Sequence, residues 1–556
     1  MMPSLGDAGP KFVVLLLAVS CASSRGSGKV ERSLPRRAVT PVTAPRVAAL
    51  RNEPDRTSTS VEGKGMAANP GSAKSTIPFR DAPEKTAEEP RATPLPRITS
   101  VALFTYIYDR PGRHRTQLGY VHVGSSVALR SPERVRGPKC AAAWYAVEPR
   151  GWICNDTTTI LETSERQLHP SAIRFLRSRQ ETAPAEGSLP YRYALSLGAP
   201  MYGRIPDAAE QQQSETTYGP PGEELGTWAH GHDGLATSGP VETLPEVPWF
   251  FANGDFSPVN TSGHDDRLVR KVAPRGSMIS FGTSFEAEGR TWLVTPELSL
   301  VPADRVRVYR TSSFHGRKLD SSLSLPIAWM RKQARPKYRR EVDGRMVTTA
   351  GVWNVRTAVG LTGNRINQGD RVWLETVESG MFIDEQDATV VEKSSRRPYS
   401  VGPDEKWIQI SISRGTLAAY VGDEPVFTTL VSPGRGGLPR SERASPRELA
   451  ARHTTPLGVY RIQYKDRYAI MSPDPEQKRY FLSDVPHIQY FRGPYALHAA
   501  FWHEDFGEPH SGGCVNLSPQ DAEHLFSWTD PPIPSGWQSV RSGITDGEGT
   551  LVQIVR

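Results

Sequence analysis

His498-Ala-Ala-Phe-Trp-His-Glu-Asp-Phe-Gly507-Glu-Pro-His-Ser-Gly-Gly-Cys514-Val-Asn-Leu517 sets one cysteine sixteen positions after a histidine, with a glycine pair directly before the sulfur. A thiol attacks a carbonyl only as its thiolate, so it needs a neighbouring base to take the proton. The oxyanion formed in that attack needs backbone N–H donors that small residues leave unobstructed. Cys514 is therefore the candidate nucleophile and His498 the candidate base. Gly512 and Gly513 are the candidate oxyanion loop. His503 and His510 flank the same loop, and His524 lies just beyond it. A zinc site made of His498, His503, His510 and Cys514 would lack paired close spacings and a carboxylate partner pattern, so neither metal nor cofactor is expected.

The residues on either side of this stretch read as a β-rich domain that begins near Lys406. Trp407 to Ser413 alternates apolar and polar residues, and Thr416–Tyr420 with Pro425–Ser432 makes a hairpin around Gly422-Asp423. Thr455-Pro-Leu-Gly458 is a turn feeding another strand, Gly493–His498 leads into the site, and Leu551–Val555 closes the sheet. After the cysteine, Ser518-Pro-Gln-Asp521 supplies a hydroxyl N-cap, a proline in the first turn and a carboxylate three residues on. The pattern predicts a helix over 519–528.

Together these features resemble an L,D-transpeptidase catalytic domain of the YkuD type over residues 406–556. The resemblance rests on Leu430-Val-Ser432, Thr455–Gly458, Ala496-Leu-His498, Phe501–Gly507 and Ser511-Gly-Gly-Cys-Val-Asn516. It implies that Cys514 is the nucleophile, His498 the base, and the backbone around Gly513 and Cys514 the oxyanion hole. The family usually has a histidine where this chain has Gly512. Trp502 and His503 are implied to face the substrate. Ser511 and Asn516 are implied to line the acyl-donor site, although such residues also fix tight loops through side-chain to backbone hydrogen bonds. The implied reaction is attack on the third, diamino residue of a peptidoglycan stem tetrapeptide, loss of D-Ala, and transfer of the thioester to an amine of a second stem. Transfer to water would make the enzyme an L,D-carboxypeptidase. Acylation by carbapenems is implied as well. NlpC-type cysteine peptidases offer a rival reading, but there the cysteine precedes the histidine. A non-catalytic envelope-binding lipoprotein is the second rival, with Gly512 as its one hint.

N-terminal to this domain, short alternating runs broken by Gly, Pro and Asp predict several small barrels. Residues 96–165 resemble a bacterial SH3-like domain, and 245–310 and 325–395 repeat its cadence as a second and third such module. A polar, Gly- and Pro-rich interval at about 205–245 reads as a loop. The fold class expected is thus mainly β, with SH3-like barrels followed by the catalytic domain and its short helix after Cys514.

The beginning of the chain points to export. Phe12–Val19 has the length of a signal-peptide hydrophobic region, and Leu17-Ala-Val-Ser-Cys21 resembles a lipobox, with Cys21 as the acylated residue of a 1–21 signal segment; ordinary secretory cleavage nearby is the alternative. Residues 22–95 are rich in Pro, Ala, Ser, Thr, Arg and Glu with almost no aromatics, the composition of a disordered tether. In an oxidising compartment Cys140 and Cys154 are expected to pair. The net charge of +7 is spread among interleaved acids and bases, which argues against nucleic acid and for an anionic cell envelope. The partners expected are peptidoglycan stem peptides and a membrane reached through the lipid anchor. The location expected is the periplasmic face of the envelope, on the outer membrane.

Overall fold

The computed structural model describes residues 96–556 apart from 103, 163–188, 217–242, 249–250, 253–266, 309–310, 442–443, 472–479 and 545–546. The signal segment, Cys21 and the tether lie outside the described residues. The chain is mostly β, as its alternation predicts. Among the described residues the α-helices are Ala208–Thr216, Pro446–Arg452 and Pro519–Trp528.

The first module runs from Arg97–Ser100 to Thr159–Glu162 and buries Ile107, Leu118, Val127, Val147 and Ile153 in one core. Cys140 and Cys154 are joined by a disulfide. This core is completed from the far end of the chain by Trp537, whose indole N–H donates to Glu148 O at 3.0 Å. The two segments also share a sheet, with Gly119 opposite Val540 and Tyr120 opposite Ser539. Gly119 is required there, because a Cβ on it would sit 2.1 Å from Ser539 O.

The second module takes in more chain than 245–310. Strands Arg192–Ser196 and Ala199–Tyr202 pair with the strands between Val269 and Val308, and Met278 pairs in parallel with Leu482 of the C-terminal region. The polar interval expected as a loop contains the helix Ala208–Thr216, started by a reciprocal cap. Glu210 N–H donates to Asp207 Oδ1 at 2.8 Å, while Asp207 N–H donates to Glu210 Oε2 at 3.0 Å. The third module forms one seven-stranded antiparallel sheet from Ile327–Trp329 to Thr389–Val391.

In the C-terminal region Lys406–Ser411, Thr416–Val421 and Glu424–Leu430 form an antiparallel meander, and Leu551–Val555 adds in parallel to its first strand. The long strand Leu482–Arg492 turns back into Tyr495–Ala499, which pairs in parallel with Val515–Leu517. Helix Pro519–Trp528 starts where the sequence places it, with Ser518 Oγ accepting from Asp521 N–H at 3.2 Å. It drives Ala522 and Leu525 into the core beside Leu497, Val515 and Leu517. Each Leu or Val side chain so buried contributes roughly 1.5–3 kcal/mol. At the helix C-terminus the buried Lys465 Nζ donates to Phe526 O at 2.6 Å and Thr529 O at 2.9 Å. Its burial pulls the amine down to about 7, so it meets the orphan carbonyls largely as a neutral donor at mildly alkaline pH.

The first module and the C-terminal region also meet through Tyr120, whose hydroxyl donates to Asp466 Oδ2 at 2.7 Å. Burial pushes the Asp466 carboxyl up to about 7. The folded chain therefore binds a proton that the unfolded chain has lost above about pH 4, and stability falls as pH rises through that interval. Tyr120 and Gln538 offset the cost of the carboxylate by donating to it. Tyr120→Phe is expected to cost about 1–3 kcal/mol at pH 8 and distinctly less at pH 5, where the carboxyl is protonated. Denaturant unfolding at the two pH values checks this, and an equal loss at both would contradict it.

Candidate active site

The parallel pairing of Tyr495–Ala499 with Val515–Leu517 sets Leu497 opposite Val515 and His498 opposite Asn516. Cys514 sits in the bend just before Val515–Leu517 and packs in one apolar cluster with Trp502 and with Ala496 and Ala500, the residues two before and two after His498. Both are inside the protein, with Cys514 1% and His498 0% exposed. Cys514 Sγ lies 3.7 Å from Pro494 O. His498 Nδ1 is 3.0 Å from Ala499 O, and His498 Nε2 is 3.2 Å from Asn516 Nδ2. The ring of Trp502 packs 5.8 Å from the imidazole. Burial of this kind strengthens charge interactions and keeps water from a reactive acyl group.

The loop before the cysteine is held by two segments. His510 N–H and Ser511 N–H donate to Pro433 O at 2.9 and 3.1 Å, Arg435 N–H donates to Ser511 O at 2.9 Å, and Asn516 and Ser432 exchange two backbone bonds of 2.9 Å. Ser511 Oγ donates to Cys514 O and accepts from Gly513 N–H at 3.0 Å. Ser511 thus fixes the loop, and the Gly513 amide expected to face an oxyanion is spent on its hydroxyl. Gly513 has φ +132°, and a Cβ there would lie 2.7 Å from Tyr495 Cε1. Tyr495 was not singled out by sequence. Burial first, and then the neighbouring Cys514, push its phenol up to about 12, so it stays protonated beside the thiol.

Asn516 and His503, expected to meet substrate, are both fully buried and bonded to each other, His503 Nε2 to Asn516 Oδ1 at 3.3 Å. His503 Nδ1 accepts from Asp505 N–H at 3.1 Å, and its ring stacks on that of His510 at 4.0 Å. His510 Nδ1 in turn lies 3.4 Å from Asp505 Oδ2, and this imidazole holds the Asp505 carboxyl below its usual range. His503, Asp505 and His510 bring possible ligand atoms within 4.8 Å of one another, a grouping different from the zinc set weighed in the sequence. It does not suit a metal. Both His503 nitrogens are engaged, and stacked rings direct their in-plane lone pairs side by side instead of at one point.

Residues far away in sequence shape the segment between His498 and Cys514. Tyr193 stacks on Phe501 at 3.6 Å and Phe314 on Phe506 at 5.6 Å. Arg356 Nη1 donates to Glu504 O and Nη2 pairs with Glu504 Oε2, each at 2.6 Å, and Arg331 Nη1 donates to Gly507 O at 3.1 Å. No local signal in the sequence marks these partners, because each contact joins separate modules.

Residues 405–554 match the profile of the YkuD family, the L,D-transpeptidase catalytic domain. No match to a curated protein reaches significance. Among solved structures, an L,D-transpeptidase fragment from Xylanimonas cellulosilytica is 24% identical over 29% of this chain and 65% of its own, with a TM-score of 0.19. L,D-transpeptidase 3 from Mycobacterium tuberculosis is 16% identical over 40% of this chain and 81% of its own, with a TM-score of 0.20. The catalytic domain of the E. faecium L,D-transpeptidase is 17% identical over 27% of this chain and 98% of its own, with a TM-score of 0.19. This chain therefore spans just under two thirds of the Xylanimonas fragment, 65% of its length. At such TM-scores the likenesses add no structural argument to the family match.

Gly513→Ala tests the loop. The new methyl is expected to displace Tyr495 or the backbone, cost about 1–3 kcal/mol through the left-handed φ, and slow alkylation of Cys514 by iodoacetamide. Unchanged melting temperature and alkylation rate would show that the close approach to Tyr495 is unimportant.

Proposed function

We propose that the chain is a peptidoglycan L,D-transpeptidase that works through a Cys514 thioester. The reading rests on one observation, a buried thiol and a buried imidazole within the segment that matches the YkuD profile. His498 takes the proton of the Cys514 thiol, and the sulfur attacks the carbonyl carbon of the third, diamino residue of a stem tetrapeptide. The tetrahedral intermediate collapses, the bond to D-Ala breaks, and the D-Ala nitrogen leaves with the proton held by His498. A side-chain amine of a second stem then attacks the thioester and gives its proton to His498, which returns it to the sulfur. One amide is broken and one formed, so no external energy source is required.

The setting proposed is the cell envelope, on the periplasmic face, with the chain anchored through a lipid on Cys21. The Cys140–Cys154 disulfide supports an oxidising compartment. The three N-terminal modules are proposed as SH3-like barrels at 96–165, 245–310 and 325–395, the second extended by the strands that begin at Arg192.

Incubation of the intact chain with tetrapeptide-bearing muropeptides is expected to give dimers lighter by D-Ala, read by mass spectrometry. Cys514→Ala is expected to lower that rate by about 10³-fold or more. Hydrolysed stems without dimers would reassign the activity to a carboxypeptidase, and no change would remove it. Intact-protein mass after carbapenem exposure is expected to show one covalent adduct on the wild type and none on Cys514→Ala.

A further inference from the structure

The hydrogen bonds behind His498 run in one direction. Asp505 N–H donates to His503 Nδ1 at 3.1 Å, which leaves that nitrogen without a proton. A neutral His503 then carries its proton on Nε2 and donates it to Asn516 Oδ1 at 3.3 Å. With its oxygen turned to His503, Asn516 presents Nδ2–H to His498 Nε2 at 3.2 Å. His498 must accept there, so its proton sits on Nδ1 and is donated to Ala499 O at 3.0 Å. A backbone amide has no alternative state. It therefore dictates every later choice in the chain, and the four side chains and carbonyls involved have no room to exchange with solvent, His498, His503 and Asn516 all being 0% exposed.

We infer that His503 is a positioning residue, which sets the tautomer of His498 through Asn516 and so keeps the proton of His498 on Nδ1, with the Nε2 lone pair accepting from Asn516. Whichever tautomer rests in the site decides whether the imidazole meets the thiol as a base, and a wrong tautomer in a nucleophile–histidine pair is costly even when the geometry is kept. The ring of His503 is itself held flat by its stack on His510 and by Phe506, whose ring centre is 5.0 Å away. That His498 serves as the base is the reading proposed above. The tautomer itself is a property of the unliganded protein and is measured without substrate.

The experiment uses the intact chain labelled with ¹⁵N-histidine, and the His498 signals are assigned by their loss in His498→Gln. The wild type is expected to show His498 protonated at Nδ1. His503→Gln keeps an N–H donor for Asn516 Oδ1 and is expected to show the same state. His503→Leu removes the donor, frees the Asn516 amide to turn, and is expected to shift His498 toward the Nε2-protonated form. Asn516→Asp can only accept, so it is expected to invert the tautomer with His503 intact, which keeps the test available should His503→Leu fail to fold. Iodoacetamide alkylation of Cys514 is expected to slow by roughly 10- to 100-fold in His503→Leu and to recover most of its rate in His503→Gln. The proposal is overturned if Leu and Asp leave the His498 tautomer as in the wild type, or if Gln and Leu are equally impaired. A wild-type tautomer pattern as stated, together with no product from muropeptides, would remove the proposed function and leave the positioning role intact.

Discussion

Everything at the site depends on one short parallel pairing, Tyr495–Ala499 beside Val515–Leu517. Parallel neighbours cannot be joined by a tight turn. The chain must leave the end of one strand and return to the start of the next, which takes a dozen residues or more. The sixteen-residue separation of His498 and Cys514 is that crossover, and the residues within it are free to build the site's surroundings. The pairing sets the register, and the register sets the His498 imidazole opposite the Asn516 amide, with the Cys514 thiol two residues before it. Behind this pair, Leu497, Val515, Leu517 and the helix Pro519–Trp528 form one packed core, which is why the strands keep their register.

A crossover without secondary structure of its own needs support from elsewhere, and here it comes from the N-terminal modules. Tyr193 covers Phe501, Phe314 covers Phe506, and Arg356 and Arg331 take the carbonyls of Glu504 and Gly507. A buried carbonyl without a donor costs about 1–3 kcal/mol, so these guanidinium groups remove a penalty that the loop could not remove alone. The modules are therefore part of the scaffold of the site. Trp537 filling the core of the first module and Met278 pairing with Leu482 extend the same interdependence to the rest of the catalytic region.

The parts that were legible in the sequence are those fixed by neighbours in the chain. Ser518-Pro-Gln-Asp521 announced its helix because cap, proline and carboxylate all act within one turn. Ser445-Pro-Arg-Glu448 carries the same signature and starts the helix Pro446–Arg452. Asp207 and Glu210 likewise cap a helix inside an interval whose composition suggests only a loop. What could not be read locally was pairing between distant segments. Arg192–Ser196 finds its partners in Met278–Phe281 and Val306–Val308, and no spacing rule connects them. The same holds for His503, whose burial and whose bond to Asn516 arise from the return of the crossover and not from the Trp-His pair itself.

Gly512 departs from the histidine usual in the family at that place, and the hydrogen bonding around the site gives the departure a context. The imidazoles that bear on His498 here stand earlier in the crossover. His503 reaches it through Asn516, and His510 stacks on His503 while pairing with Asp505. An imidazole at 512 would stand two residues before Cys514, whereas His503 reaches His498 from the other strand's side through Asn516. With Gly513 N–H spent on Ser511 Oγ, the loop is rigid without any side chain at 512. A glycine at that position is then compatible with a working thiol, since the polar duties near His498 are already discharged by residues on the other side of it.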